Sequence, residues 1–146
     1  MRQRCSNPKA AGYADYGGRG ITVCPEWQAS FVSFRDWANA NGLRDDLEID
    51  RIDTDGNYEP SNCRWVTRQQ NCMNRRKYRN NKSGFKGVSV SGRKWEAQIM
   101  ARGIAEYLGA FATPEDAARA YDKASLRLHG EFGIRNFPET KTEESR

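Results

Sequence analysis

The cations of this chain are unevenly placed. Nine of its 24 lysines and arginines fall within residues 68–94, where no aspartate or glutamate occurs. The flanking stretches, 1–67 and 95–146, each hold two more acids than bases. A merely solvated surface mixes signs, so a one-sign block of this density suits a polyanion. Clustered cations displace the counterions condensed on a phosphate backbone and gain affinity from their release. Arg68, Arg75, Arg76, Lys77, Arg79 and Lys82 are the expected phosphate contacts. A nucleic acid is the expected partner of this block, bound in a salt-sensitive, sequence-tolerant way, with a flexible, soluble linker as the alternative.

Other side chains that could do chemistry are few. Cys5, Cys24, Cys63 and Cys72 form no C-x-x-C pair, which excludes a zinc knuckle. Two readings stay open: convergence on one structural zinc ion, or reduced thiols in small cores. The loop "DTDGNYEPSN" (Asp53–Asn62) has the D-x-D-G of a calcium loop, but its glycine comes two positions too early and the closing glutamate is missing. His129 is the only histidine, expected as a surface or cap residue at the end of the last helix.

The elements that carry these residues follow from periodicity. A chain of 146 residues with 29% charged side chains makes one ordinary domain or two very small ones. No apolar run nears the roughly 20 residues that span a bilayer, and "MRQRCSNPKA" has no apolar leader core. A membrane partner is not expected. "YGGRGI" (Tyr16–Ile21) is a glycine turn; Trp27, Phe31, Phe34 and Ala38 then recur at helical spacing, predicting one helix over 28–41 that Gly42 stops. Strands are predicted near Leu47–Ile52 and Cys63–Thr67, followed by a polar helix near Arg68–Arg76. After the linker-like "RRKYRNNKSG", three strands joined by glycine turns are predicted, and Trp95, Ala97 and Ile99 alternate with Glu96, Gln98 and Met100. A helix capped by Thr113, with Pro114 at its first position and Asp116 two residues later, ends at Gly130.

The stretch from Leu47 to Arg76 resembles the HNH, or ββα-metal, nuclease family. Asp50-Arg51, Asn62, "CRWVT" (Cys63–Thr67) and Asn71 match its pattern over about 30 residues, with Asn74 as an alternative to Asn71 and Arg51 where the family has histidine. The resemblance implies Mg²⁺ (or Mn²⁺) held by Asp50 and the Asn71 amide oxygen, with Asn62 bridging the loop. Some HNH restriction enzymes carry Asp-Arg-x-Asp and a tyrosine, similar to Asp50-Arg51-Ile52-Asp53 and Tyr58 here. By that likeness Tyr58 activates water or attacks, and Arg51 lowers its pKa and holds phosphate. "YGGRGI" resembles a segment that precedes this hairpin in phage-type relatives, which makes Arg19 a candidate phosphate contact.

Residues 83–138 resemble the AP2/ERF DNA-binding domain through "FKGV" (Phe85–Val88), "KWEAQI" (Lys94–Ile99), "YLGAF" (Tyr107–Phe111), "EDAARAYDKA" (Glu115–Ala124) and "NFP" (Asn136–Pro138). Such domains lay the open face of a three-stranded sheet into the major groove, which implies double-stranded DNA as the partner. On that face this chain offers Lys86 for phosphate or guanine, Gln98 for adenine, and Met100 and Tyr107 for a thymine methyl or stacking. The expected fold class is α+β: a ββα-metal module over 1–76, a basic linker over 77–84, an AP2-like sheet packed on one helix over 85–138, and a disordered tail over 139–146. The combination resembles a phage or homing-type endonuclease in the cytoplasm of a bacterial host. A single active site per chain implies a homodimer or two separate cleavage events for a double-strand break.

Overall fold

The structure, a computed structural model, describes residues 1–138; the tail expected over 139–146 lies outside the described residues. The chain divides into two compact units, Met1–Asn71 and Cys72 onward, earlier than the expected module end at Arg76. No helix among the described residues is long and apolar enough to cross a membrane.

In the first unit a short helix α1 (Arg2–Ser6) and two 3-10 turns, Tyr13–Asp15 and Gly17–Arg19, precede α2 (Pro25–Ala29) and α3 (Phe31–Ala40). The single helix predicted over 28–41 is thus two helices. Ser30 is extended and caps α3, its hydroxyl accepting from Ser33 N at 3.3 Å. A serine that bonds the backbone ahead of it competes with helix continuation, and the periodicity of the aromatics alone did not reveal it. Strands β1 (Glu48–Arg51) and β2 (Cys63–Val66) form an antiparallel hairpin, and α4 (Arg68–Met73) follows. Ile21, Val23, Cys24, Trp27, Tyr58 and Cys63 build the core. A backbone bridge between Val23 and Tyr58 ties the loop to it.

The second unit is a three-stranded antiparallel sheet in the order β3 (Val88–Ser91), β4 (Lys94–Ala101), β5 (Ile104–Phe111), packed against α5 (Pro114–His129). Thr113 caps α5 by accepting from Asp116 N at 3.2 Å, and Pro114 opens it. Ala117, Ala118, Tyr121 and Ala124 face Val88, Ala97 and Ile99; the small alanines let helix and sheet approach closely. Gly87 is required where this packing is tightest. Its φ is +75°, and a Cβ there would stand 2.0 Å from the Tyr121 ring. Both Asp122 carboxylate oxygens accept backbone N–H groups, from Asn136 at 2.6 Å and Phe137 at 2.7 Å, which fastens the "NFP" segment.

Candidate nucleic-acid interface

The hairpin of the first unit separates the residues that the nuclease likeness groups together. Neighbouring residues of a strand point to opposite faces. Asp50 pairs across the hairpin with Arg64, and its Oδ2 accepts from Arg64 Nε at 3.0 Å. Arg51 pairs with Cys63 on the other face. There its guanidinium lies 5.3 Å from the Tyr16 ring centre and 4.9 Å from that of Tyr58, and it donates to Gly56 O at 2.8 Å. Tyr58 is a core side chain, only 4% exposed. Burial, then Tyr16, push its phenol up to about 12 against the opposing Arg51 and Arg4 charges. Arg51 does lower it, as expected, but burial outweighs that charge, and at neutral pH the hydroxyl keeps its proton.

The residues inferred from the likeness as metal ligands have partners within the chain, Asn71 through its amide nitrogen. Asn71 donates to Glu48 Oε2 at 2.7 Å, Asp50 carries the Arg64 ion pair, and Asn74 is buried with a partner of its own. Among the described residues no three His, Cys, Asp or Glu side chains gather as metal ligands. The four cysteines are all free. Cys24 and Cys63 are core residues, Cys5 packs against that core, and Cys72 is exposed. Burial pushes the Cys63 thiol up to about 11 and raises Cys24 and Cys5 as well, so in the metal-free chain these thiols keep their protons at neutral pH.

Asn62 laces the acidic loop. Its Oδ1 accepts from Asp53 N at 2.9 Å, and its Nδ2 donates to Asp53 O and Asn57 O at 3.0 and 2.9 Å. Arg19 pairs with Asp55 and donates to Asp15 O at 3.2 Å, so its charge is spent on the loop. His129 is not a surface residue: it is 7% exposed, with Nε2 2.8 Å from Met100 O.

The second unit gathers the positive charge. Residues 72–138 hold thirteen Lys/Arg against six Asp/Glu. Arg75, Arg76, Lys77, Arg79 and Lys82 are exposed on the stretch ahead of β3, with Tyr78 among them 78% exposed; Arg68 is exposed on α4. Lys77 donates to Gly84 O at 2.6 Å, and Arg76 and Arg79 also have intramolecular partners. Lys86 departs from its expected place on the sheet's open face. Its Nζ donates to Met73 O at 2.7 Å, and burial brings its pKa down to about 8.

Register fixes what the open face presents. Residues paired across antiparallel strands share a face. Ala97 pairs with Val88 and Gly109 on the α5 side, and Gln98 pairs with Tyr107 on the other. The open face thus shows Ser89, Ser91, Lys94, Glu96, Gln98, Met100 and Tyr107, with Met100 58% and Tyr107 60% exposed. Arg93 and Arg102 occupy the two hairpin turns at opposite ends of β4. Together with Lys94 they are exposed, and among the described residues no side-chain bond is seen for them. They were missed in the sequence, although "SGRK" and "ARGI" each carry the glycine of a two-residue turn, which places the neighbouring arginine at a hairpin tip.

No family model matches the chain. Over 58 residues the chain is 48% identical to an AP2/ERF and B3 domain-containing protein of Oryza sativa subsp. japonica, covering 38% of this chain and 16% of that protein. It is 44% identical over 50 residues to the ethylene-responsive transcription factor ERF015 of Arabidopsis thaliana, covering 33% of this chain and 27% of the relative. A third relative, the ethylene-responsive transcription factor ERN3 of Medicago truncatula, is 44% identical over 64 residues, covering 41% and 26%. The chain therefore spans little more than a quarter of the length of these relatives at most. The likeness supports an AP2/ERF domain within this chain, in agreement with the three-stranded antiparallel sheet. Two expectations are overturned. Relatives named as transcription factors point away from an endonuclease, and the geometry at Asp50 and Tyr58 agrees. The relatives are plant proteins, which removes the expectation of a phage protein in a bacterial cytoplasm.

Proposed function

We propose that the chain is a non-enzymatic DNA-binding protein of the transcription-regulator type, and that the open face of β3, β4 and β5 enters the major groove of double-stranded DNA. One observation carries this reading: the face opposite α5 is uncovered and polar, in a unit where bases outnumber acids thirteen to six. A twisted antiparallel sheet fits the roughly 12 Å major groove, where base edges are readable. The names of the transcription-factor relatives support the same reading. The cations ahead of β3 add a sequence-tolerant component.

The test is fluorescence anisotropy of the full chain on labelled duplex DNA across a salt series. Affinity is expected to fall steeply with salt, and Met100→Glu, which sets a carboxylate on the exposed face, is expected to weaken binding about 10-fold or more. Absence of duplex binding at low salt, or a Met100→Glu variant that binds like the parent, overturns the proposal.

A further inference from the structure

The side chains at the centre of the open face are chemically selective. Gln98 faces Tyr107 across β4 and β5, and Met100 faces Ala105 in the next pair on the same face. Neither pair includes a lysine or arginine. Lys86 is withdrawn by its bond to Met73 O. Glu96, the next residue on this face toward the β3–β4 turn, is a carboxylate without a hydrogen to donate. Guanine shows two acceptors in the major groove, N7 and O6, and its usual reader is a bidentate arginine or lysine. The centre of the sheet has no such group. A glutamine amide has one donating and one accepting end, which match the N7 acceptor and N6 donor of adenine. Opposite guanine the amide oxygen would meet O6, with acceptor facing acceptor. The exposed Tyr107 ring beside Gln98 narrows the orientations that its amide can take.

The free cations of the sheet lie at its ends. Arg93 follows Gly92, whose φ is +60°, in the β3–β4 turn. Arg102, with Gly103, forms the β4–β5 turn at a φ of +51°, the one positive-φ residue other than glycine among the described residues. An arginine there accepts a backbone conformation that asparagine or glycine takes more readily. The two turns are separated by the eight residues of β4, roughly 25 Å of extended strand, so the tips are suited to phosphates on either side of the contacted bases.

We propose, on the basis of the DNA-binding reading above, that this face selects A·T pairs: Gln98 reads the major-groove edge of an adenine, Met100 takes a thymine methyl, and Arg93 and Arg102 anchor phosphates at the two ends. Gln98 and Met100 are two residues apart on β4, about 7 Å or two base steps. The adenine and the thymine therefore belong to different base pairs near the centre of the site.

The test is selection of duplexes from a randomised library by the full chain, followed by anisotropy on the enriched site and on single-pair changes. The parent is expected to enrich a fixed A·T pair, and changing that pair to G·C is expected to weaken binding by about 5- to 100-fold. Gln98→Ala should abolish that difference, and Gln98→Arg should shift the preference to guanine. Joint Arg93→Ala and Arg102→Ala should weaken all duplexes alike and reduce the salt slope by about two. Enrichment of G·C, or an A·T preference that survives in Gln98→Ala, overturns this inference while leaving DNA binding intact. A parent chain that retains no duplex overturns both proposals.

Discussion

The Arg51 guanidinium stands 4.9 Å from the centre of the Tyr58 ring, inside a core that leaves the tyrosine 4% exposed. Tyr16 stacks on Tyr58 with ring centres 6.3 Å apart, Arg51 also sits 5.3 Å from the Tyr16 ring centre, and Arg4 lies 4.3 Å from it. Two stacked rings thus carry a guanidinium against both of them and a second against Tyr16, and each desolvated cation–ring contact contributes about 1–2 kcal/mol. The same residues that resemble a nuclease pair act here as a structural stack.

For Tyr58 the stack gives a clean distinction. Tyr58→Phe keeps the ring, so stability in urea unfolding should change by less than about 1 kcal/mol. Tyr58→Ala removes it from the core and should cost about 3–5 kcal/mol. A large loss in the Phe variant would show that the hydroxyl, not the ring, matters.

Asp50 and Arg64 have side chains only 5% and 19% exposed. Asp50→Ala leaves the arginine charge in a poorly hydrated place and should cost roughly 3 kcal/mol. Combining it with Arg64→Ala should cost less than the sum of the single changes, with a coupling of about 1 kcal/mol or more in a double-mutant cycle. Additive effects would mean that the pair is not energetically coupled.

Lys86 links stability to pH. Its folded pKa is lowered to about 8 from 10.5. Between those values the unfolded chain holds a proton that the folded chain has released, so this residue's contribution rises with pH across the window and is lost as pH falls through about 8. The stability difference between the parent and Lys86→Met should shift in the parent's favour from pH 8 to pH 10. The measurement is urea unfolding of both proteins at several pH values, and parallel curves would contradict the assignment.

Gly87→Ala should be among the most damaging small substitutions in the second unit. The added methyl meets the Tyr121 ring and the Gln98 carbonyl, at 2.0 and 2.8 Å, on a backbone of φ +75°. A loss of about 2 kcal/mol or more is expected, read as a fall in the thermal midpoint. Gly84→Ala, with open space at its Cβ position, carries only the backbone cost and should lose less.

Much of the architecture was legible in the chain itself. The alternation of Trp95, Ala97 and Ile99 with Glu96, Gln98 and Met100 identified a sheet open on one side, and Thr113, Pro114 and Gly130 bounded its helix. These are local signals, carried by a period of two or by the chemistry of a cap, and they need no distant partner. The order of strand, loop, strand and helix over residues 48–73 was legible for the same reason. The break at Ser30 was not, because one serine hydroxyl decided it within an unbroken aromatic period.

The candidate site divides along the same line. The sequence alone determined the open face along β4, because alternation assigns faces there, and it concentrated the cations in one stretch; Lys86, ahead of β3, lay outside that alternation. Only the tertiary structure decided which of those side chains are available. It turned Lys86 toward Met73, sealed Tyr58 into a core with Arg51, gave Asp50 to Arg64, and left Arg93 and Arg102 exposed at the hairpin tips. The physical reason is that burial and pairing depend on what the rest of the chain brings against a group, and those contacts reach across 13 or more residues for Lys86 and Asp50.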